Sequence, residues 1–216
     1  AFIFGVVMPK QRGSFHELGH PHALALLLGI LLYGLFAETI SRSTRILLVH
    51  SNFVRRTVFP LEILPLAAFI STALQTAIGL LLLIIILPFF NVPDRRSLLF
   101  PLALLPLPIF TIGTSWPLAM IGVFLKDTAH LIPIALQLFF FLCPILYPAT
   151  AVPARFQWVM AANPIACVLE VSRSLLFSHH PVSWTWWTMT LICSLVGFQF
   201  GYALFMRRRR LLPDYI

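Results

Sequence analysis

Five apolar runs, each long enough to cross a bilayer as a helix, leave this chain little choice of fold. They cover roughly residues 22–40, 62–90, 98–125, 129–148 and 184–206. A helix rising about 1.5 Å per residue needs ~20 residues to cross the hydrocarbon layer. Inside lipid every backbone N–H and C=O must be satisfied within the segment, so such runs predict helices rather than open sheet. Only 10% of the residues are charged and 59% are hydrophobic, against about 25% charged in a soluble domain. The reading is an all-α integral membrane protein with no room for an enzyme-sized soluble domain.

The net charge of +8 does not point to nucleic acid, because the cations stand at the ends of apolar runs and not along one polar face. That placement anchors and orients spans among membrane lipids. The tail Arg207-Arg208-Arg209-Arg210 belongs in the cytoplasm. Counting back puts 41–61 and Lys126 there too, so that nine of the 15 cations face inward. Cys143, Cys167 and Cys193 lie in apolar surroundings without CxxC spacing and read as packing residues. The opening Ala1–Met8 is apolar but too short to span, and no signal-peptide pattern accompanies it. Residues 1–8 read as the remnant of a truncated first span, which brings the span count to six.

Punctuation inside the apolar regions carries further expectations. The run 98–125 holds Pro101, Pro106, Pro108 and Pro117, so kinks are expected there. The interval 149–183 is too interrupted for a span and too apolar for a plain loop. It reads as a re-entrant external helical hairpin broken at Asn163-Pro164, where Glu170 and Arg173, three residues apart, would neutralise each other. Trp184, Trp186 and Trp187 form an expected interfacial belt at the outer start of the last span.

His16-Glu17-Leu18-Gly19-His20 matches the HExxH pattern of zinc proteases, in which two histidines on one helix face hold the metal and the glutamate is the general base. Pro21 argues against it, because the residue before a proline is pushed away from α geometry. Ser14 and Glu17 are spaced as a capping box instead. An intramembrane zinc metalloprotease stays open as an alternative from another class, but no metal site is expected.

The junction Arg55-Arg56-Thr57-Val58-Phe59-Pro60-Leu61-Glu62-Ile63-Leu64-Pro65 places two prolines around a lone carboxylate at the mouth of a span. It resembles the cytoplasmic mouth of the third span in the membrane subunits of ABC-2 polysaccharide exporters. These move lipid-linked O-antigen, capsule or teichoic-acid chains out of bacteria. The resemblance runs the length of the chain. It takes in Phe36-Ala37-Glu38 with Ser41-Arg42-Ser43, then Asn52-Phe53-Val54-Arg55-Arg56 and Gly122-Val123-Phe124-Leu125-Lys126-Asp127. Pro144-Ile145-Leu146-Tyr147-Pro148 and Asn163-Pro164 with Glu170 and Arg173 complete it. The histidine-rich segment 16–22 has no counterpart in that family, and its amphipathic interface helix and most of its first span are missing here.

The resemblance implies one transmembrane domain over 1–216, with the six-span ABC-2 permease fold and its first span truncated. It implies the permease subunit of an ATP-driven exporter of lipid-linked polysaccharide in the bacterial inner membrane. That subunit works as a homodimer with two copies of a cytoplasmic ABC ATPase. ATP and Mg belong to the ATPase; this chain carries no GxxxxGKS/T motif and is expected to bind no cofactor of its own. The cytoplasmic loop 41–61, with Arg42, Arg45, Leu48, Asn52, Phe53, Arg55 and Arg56, would couple to the ATPase through a short helix; the alternative is a membrane-surface helix held by anionic lipid. Glu38, Glu62 and Lys126 would stand at the cytoplasmic gate. Glu38 would snorkel or pair with Arg42, and Glu62 would pair with Arg55, Arg56 or Lys126 or accept hydrogen bonds from a helix start. Asn163, Pro164, Glu170 and Arg173 would form the external gate. An ABC-2 permease for a drug or small lipid is the alternative within the class.

Overall fold

The computed structural model describes residues 20–50, 60–90, 95–125, 127–146, 163–177 and 183–209, and every regular element among them is helical. Helix α1 runs unbroken over His20–Val49. Helix α2 covers Ile63–Ile86 and tightens into a 3-10 turn at Leu87–Phe90. A second 3-10 turn, Arg95–Leu99, leads into the short α3, Phe100–Leu104, and then α4, Pro106–Phe124. Helices α5, Thr128–Leu142, α6, Pro164–Leu176, and α7, Trp184–Arg208, follow. Four stretches are long and apolar enough to span: Ala23–Val49, Ile63–Phe89, Arg96–Phe124 and Trp184–Arg208.

Helix α4 is the central strut. It packs along α1 on one side and α7 on the other, while α1 also receives α2 and α5. Small residues set these distances. A Cβ on Gly201 of α7 would stand 1.9 Å from the Gly113 carbonyl oxygen of α4, and one on Gly122 of α4 would stand 2.0 Å from the Thr44 carbonyl oxygen of α1. Both backbones approach too closely for any side chain, the usual device of helix pairs in lipid. Leu28, Leu32, Tyr33, Phe36 and Ile40 of α1 form the main core with Leu83, Leu107, Ile165 and Leu169. Ile70, Leu74, Ile78, Leu81 and Ile85 run down the outer face of α2, exposed at three- and four-residue spacing as a lipid-facing stripe.

Several boundaries differ from the sequence expectation. Helix α1 does not stop near residue 40 but carries Arg42, Arg45 and Leu48 as part of the same rod. Its polar stretch 41–45 is not a loop, because Ser43 and Thr44 are fully buried and Thr44 Oγ1 donates to the Ser41 carbonyl. The expected span 129–148 ends as a helix at Leu142. Its 15 residues reach only about 22 Å at the α-helical rise. Pro144 accounts for the stop, since it favours the extended conformation that Cys143 adopts at φ −82°, ψ 141°. Of the four prolines in 98–125, Pro106 marks a break between α3 and α4, while Pro117 is carried inside α4. His20 heads α1 as a helical residue with Pro21 after it, so the proline opens that helix.

The tryptophan belt is partial. Trp184 and Trp186 are exposed, but Trp187 is buried and its indole N–H donates to the Ala103 carbonyl at 3.2 Å. It locks α7 to α3. Residues 1–8 and the whole of His16–Gly19 lie outside the described residues, as does the first limb of the interval 149–183.

Candidate functional site

At the end of the bundle that the cation bias assigns to the cytoplasm, four elements converge on one apolar cap. Leu47 near the end of α1, Leu61 and Leu64 at the start of α2, Trp116, Met120 and Val123 of α4, and Phe205 of α7 pack together. The segment between α1 and α2 is therefore tied down at both ends. Asn52, Phe53, Arg55 and Arg56, the expected ATPase contacts, lie outside the described residues. Arg42 and Arg45 are exposed on α1, and Leu48 packs partly buried against the cap.

Glu62 stands immediately before α2, where a carboxylate favours the exposed N–H groups of a helix start. The partner the structure gives it is Arg209, at 3.5 Å, from the arginine-rich end of α7. The partners expected from sequence, Arg55, Arg56 or Lys126, lie outside the described residues. The Trp116 indole N–H also donates to the Glu62 carbonyl at 3.2 Å. Arg209 and Trp116 are thus rim residues that sequence reasoning misses. The cationic tail is legible as an orientation signal, but its partner is set by how α7 lies against α4.

Glu38 does pair with Arg42 one turn on, as the i, i+4 spacing predicts. Arg42 also donates to Ser71 Oγ of α2 at 3.3 Å. Just above, Thr39 and Thr72 hydroxyls meet at 2.6 Å in a buried bond between α1 and α2. Beside the ion pair a groove of about 400 Å³ opens between α1 and α5, lined by Tyr33, Glu38, Ser41, Pro133, Gln137 and Phe140 among others.

At the opposite end α6 starts at the expected break, Asn163-Pro164. Asn163 caps it, its Oδ1 accepting from the Ile165 and Ala166 N–H groups at 3.0 and 3.4 Å, and Pro164 occupies the first turn. The Asn163 amide also donates to Cys143 Sγ at 3.3 Å, so the cap is pinned to the end of α5. Arg173 corrects the expected pairing with Glu170, for no ion pair joins them among the described residues. Its guanidinium instead donates to the carbonyls of Pro144, Ile145 and Ala25, the last two at 2.6 and 3.3 Å. The reason is geometric. The chain leaves helical geometry after Leu142, freeing carbonyls that a planar five-donor group can gather.

Two carbonyl- and carboxylate-held ends joined by close-packed apolar helices define a multi-pass helical membrane protein. The chain belongs to the ABC-2 type transporter family, whose model matches residues 1–177. It is similar to two O-antigen export system permease proteins RfbA of Klebsiella pneumoniae, each 24% identical. One match covers 82% of this chain and 66% of the relative, the other 94% and 76%. The polysialic acid transport protein KpsM of Escherichia coli is 22% identical over 95% of this chain and 79% of its own length. The chain thus spans about two thirds of the first of these relatives. Localisation in the bacterial inner membrane is consistent with the four apolar spans and with these bacterial relatives. No group of three or more His, Cys, Asp or Glu is placed to hold a metal among the described residues, and His16 and Glu17 lie outside them.

Proposed function

We propose that this chain is the permease subunit of an ATP-driven exporter that moves lipid-linked polysaccharide across the bacterial inner membrane. It works as a homodimer with two copies of a separate ABC ATPase. The observation that carries this reading is the similarity to an O-antigen export system permease protein and to a polysialic acid transport protein over 94% and 95% of the chain, added to family membership. The apolar cap supports the mechanical part. A push on the segment 50–61 would reach α1 through Leu47, α2 through Leu61, and α4 and α7 through Trp116 and Phe205. The Glu62–Arg209 pair would resist or release that motion at the rim. Lys126 completes the cytoplasmic gate in this reading, and Asn163, Pro164, Glu170 and Arg173 form the external one.

The test is reconstitution with a candidate ABC ATPase from the same bacterium. Proteoliposomes holding both should couple ATP hydrolysis to translocation of a lipid-linked glycan, and neither partner alone should translocate it. If the pair instead moves a drug or a simple lipid and ignores glycans, the exporter belongs to the family but the cargo assignment is wrong.

A further inference from the structure

Arg207 and Arg208 close α7 at its cytoplasmic end as exposed side chains, and neither has an ion pair among the described residues. Arg209 differs. Two residues after Arg207, it lies on the opposite side of the helix axis and is held by Glu62 at 3.5 Å. The C-terminal end of a helix supplies roughly half a negative charge, which leaves most of the two unit charges on Arg207 and Arg208 uncompensated.

The side of α7 that carries Arg207 faces lipid. Ile192, Val196 and Phe200 precede Arg207 at intervals of four, four and seven residues, which keeps all four on one face. The three apolar side chains are 60%, 64% and 67% exposed. The contact with α4 lies on the other side, at Gly201 and Phe205. The depth agrees with this. Arg207 is eleven residues beyond Val196, roughly 16 Å along the axis, or about half of the ~30 Å hydrocarbon layer. The exposed Trp186 is 21 residues before Arg207, roughly 32 Å away, and so marks the opposite interface. Arg207 therefore stands at headgroup level, with an exposed apolar track running from it toward the bilayer centre.

We infer that Arg207 and Arg208 form a headgroup site for an anionic phospholipid of the cytoplasmic leaflet, with an acyl chain lying along Phe200 and Val196. The apolar track accepts any bilayer lipid, and the two uncompensated guanidiniums add the preference for negative charge. Each can take a phosphate through paired hydrogen bonds. A free phosphate ion would use the cations and leave the track bare, whereas a phospholipid uses both. The site goes beyond the exporter reading and does not depend on the cargo.

The test places the permease, alone and with its ATPase, in phosphatidylcholine nanodiscs holding a trace of spin-labelled lipid. The probes are labelled phosphatidylglycerol, which carries a net negative charge, and labelled phosphatidylcholine, which carries none. The motionally restricted fraction of each label reports its contact with the protein. Phosphatidylglycerol should be preferred at least about fivefold, the factor that one arginine near an anionic surface supplies. Arg207→Gln with Arg208→Gln should erase the preference, and lysine at both positions should keep most of it. Glu62→Gln with Arg209→Gln removes a neutral pair and should leave it unchanged. Equal restriction of the two labels by the native protein, or an undiminished preference in the double glutamine variant, would overturn the inference. So would loss of the preference when the ATPase is added, which would assign the two arginines to that interface. Displacement of the labelled lipid by millimolar inorganic phosphate would also overturn it, making the cations a site for the free ion.

Discussion

Arg173 carries a charge that is held by dipoles rather than by a counter-charge. Three carbonyls from two other parts of the chain converge on its guanidinium, and Glu170 acts on it only through space. Truncation would leave those carbonyls without their donor, and hydrogen bonds to charged groups contribute about 1.5–3 kcal/mol each. Arg173→Ala is therefore expected to cost at least ~2 kcal/mol, read as a lower unfolding midpoint of the purified protein. Arg173→Lys should recover only part of it, because a point charge cannot span three acceptors. Equal stability of the lysine variant and the native protein would contradict the carbonyl cage. The Thr39–Thr72 bond makes a useful contrast. Thr39→Val should cost only ~0.6 kcal/mol, the average for a hydrogen bond between helices in lipid, since each hydroxyl also has a carbonyl within its own helix.

Helices α4 and α7 owe their separation to two glycines. Gly201→Ala would drive its Cβ into the Gly113 carbonyl, so the helices must part along a contact that also includes the buried Phe205. Overpacking of this kind costs about 1–3 kcal/mol. Gly197, one turn earlier on α7, has open space where a Cβ would go, and alanine there should be neutral or favourable by up to ~1 kcal/mol through helix propensity. The two variants side by side, measured in the same unfolding assay, separate a packing glycine from a permissive one; equal behaviour would refute the close approach. Sequence alone displays both glycines at a four-residue spacing and cannot say which one meets a neighbour. The same limit explains α1. Ser41, Ser43 and Thr44 look like the start of a loop until Gly122 is seen to bring the α4 backbone against Thr44, which makes small polar residues the ones that fit.

For the whole molecule, the proposed energy transfer runs from a partner ATPase through the segment between α1 and α2 into the apolar cap. Buried aromatic anchors commonly cost 2 kcal/mol or more when truncated. Phe53→Ala with Asn52→Ala should thus weaken ATPase association by roughly 30-fold, the factor equivalent to ~2 kcal/mol, and export should fall with it. Arg45→Ala should do less, since a rim charge mainly alters on-rate and salt dependence. Full ATPase binding by the double variant would make the segment a lipid-surface element instead. The helical class, four of the expected spans and the family are legible in the amino-acid sequence by itself. In lipid each backbone must satisfy itself locally, so a long apolar run already implies its own fold. The i, i+4 pair of Glu38 with Arg42 and the Asn163-Pro164 helix start are legible for the same reason, being interactions within one or two turns. What only the tertiary structure decided was which faces meet. Arg173 reaches a carbonyl 148 positions away at Ala25, Trp116 meets Glu62 across 54 positions, and Glu62 finds Arg209 at the far end of the chain. Those contacts depend on helix rotation and close approach, which local hydrogen bonding and hydropathy do not encode.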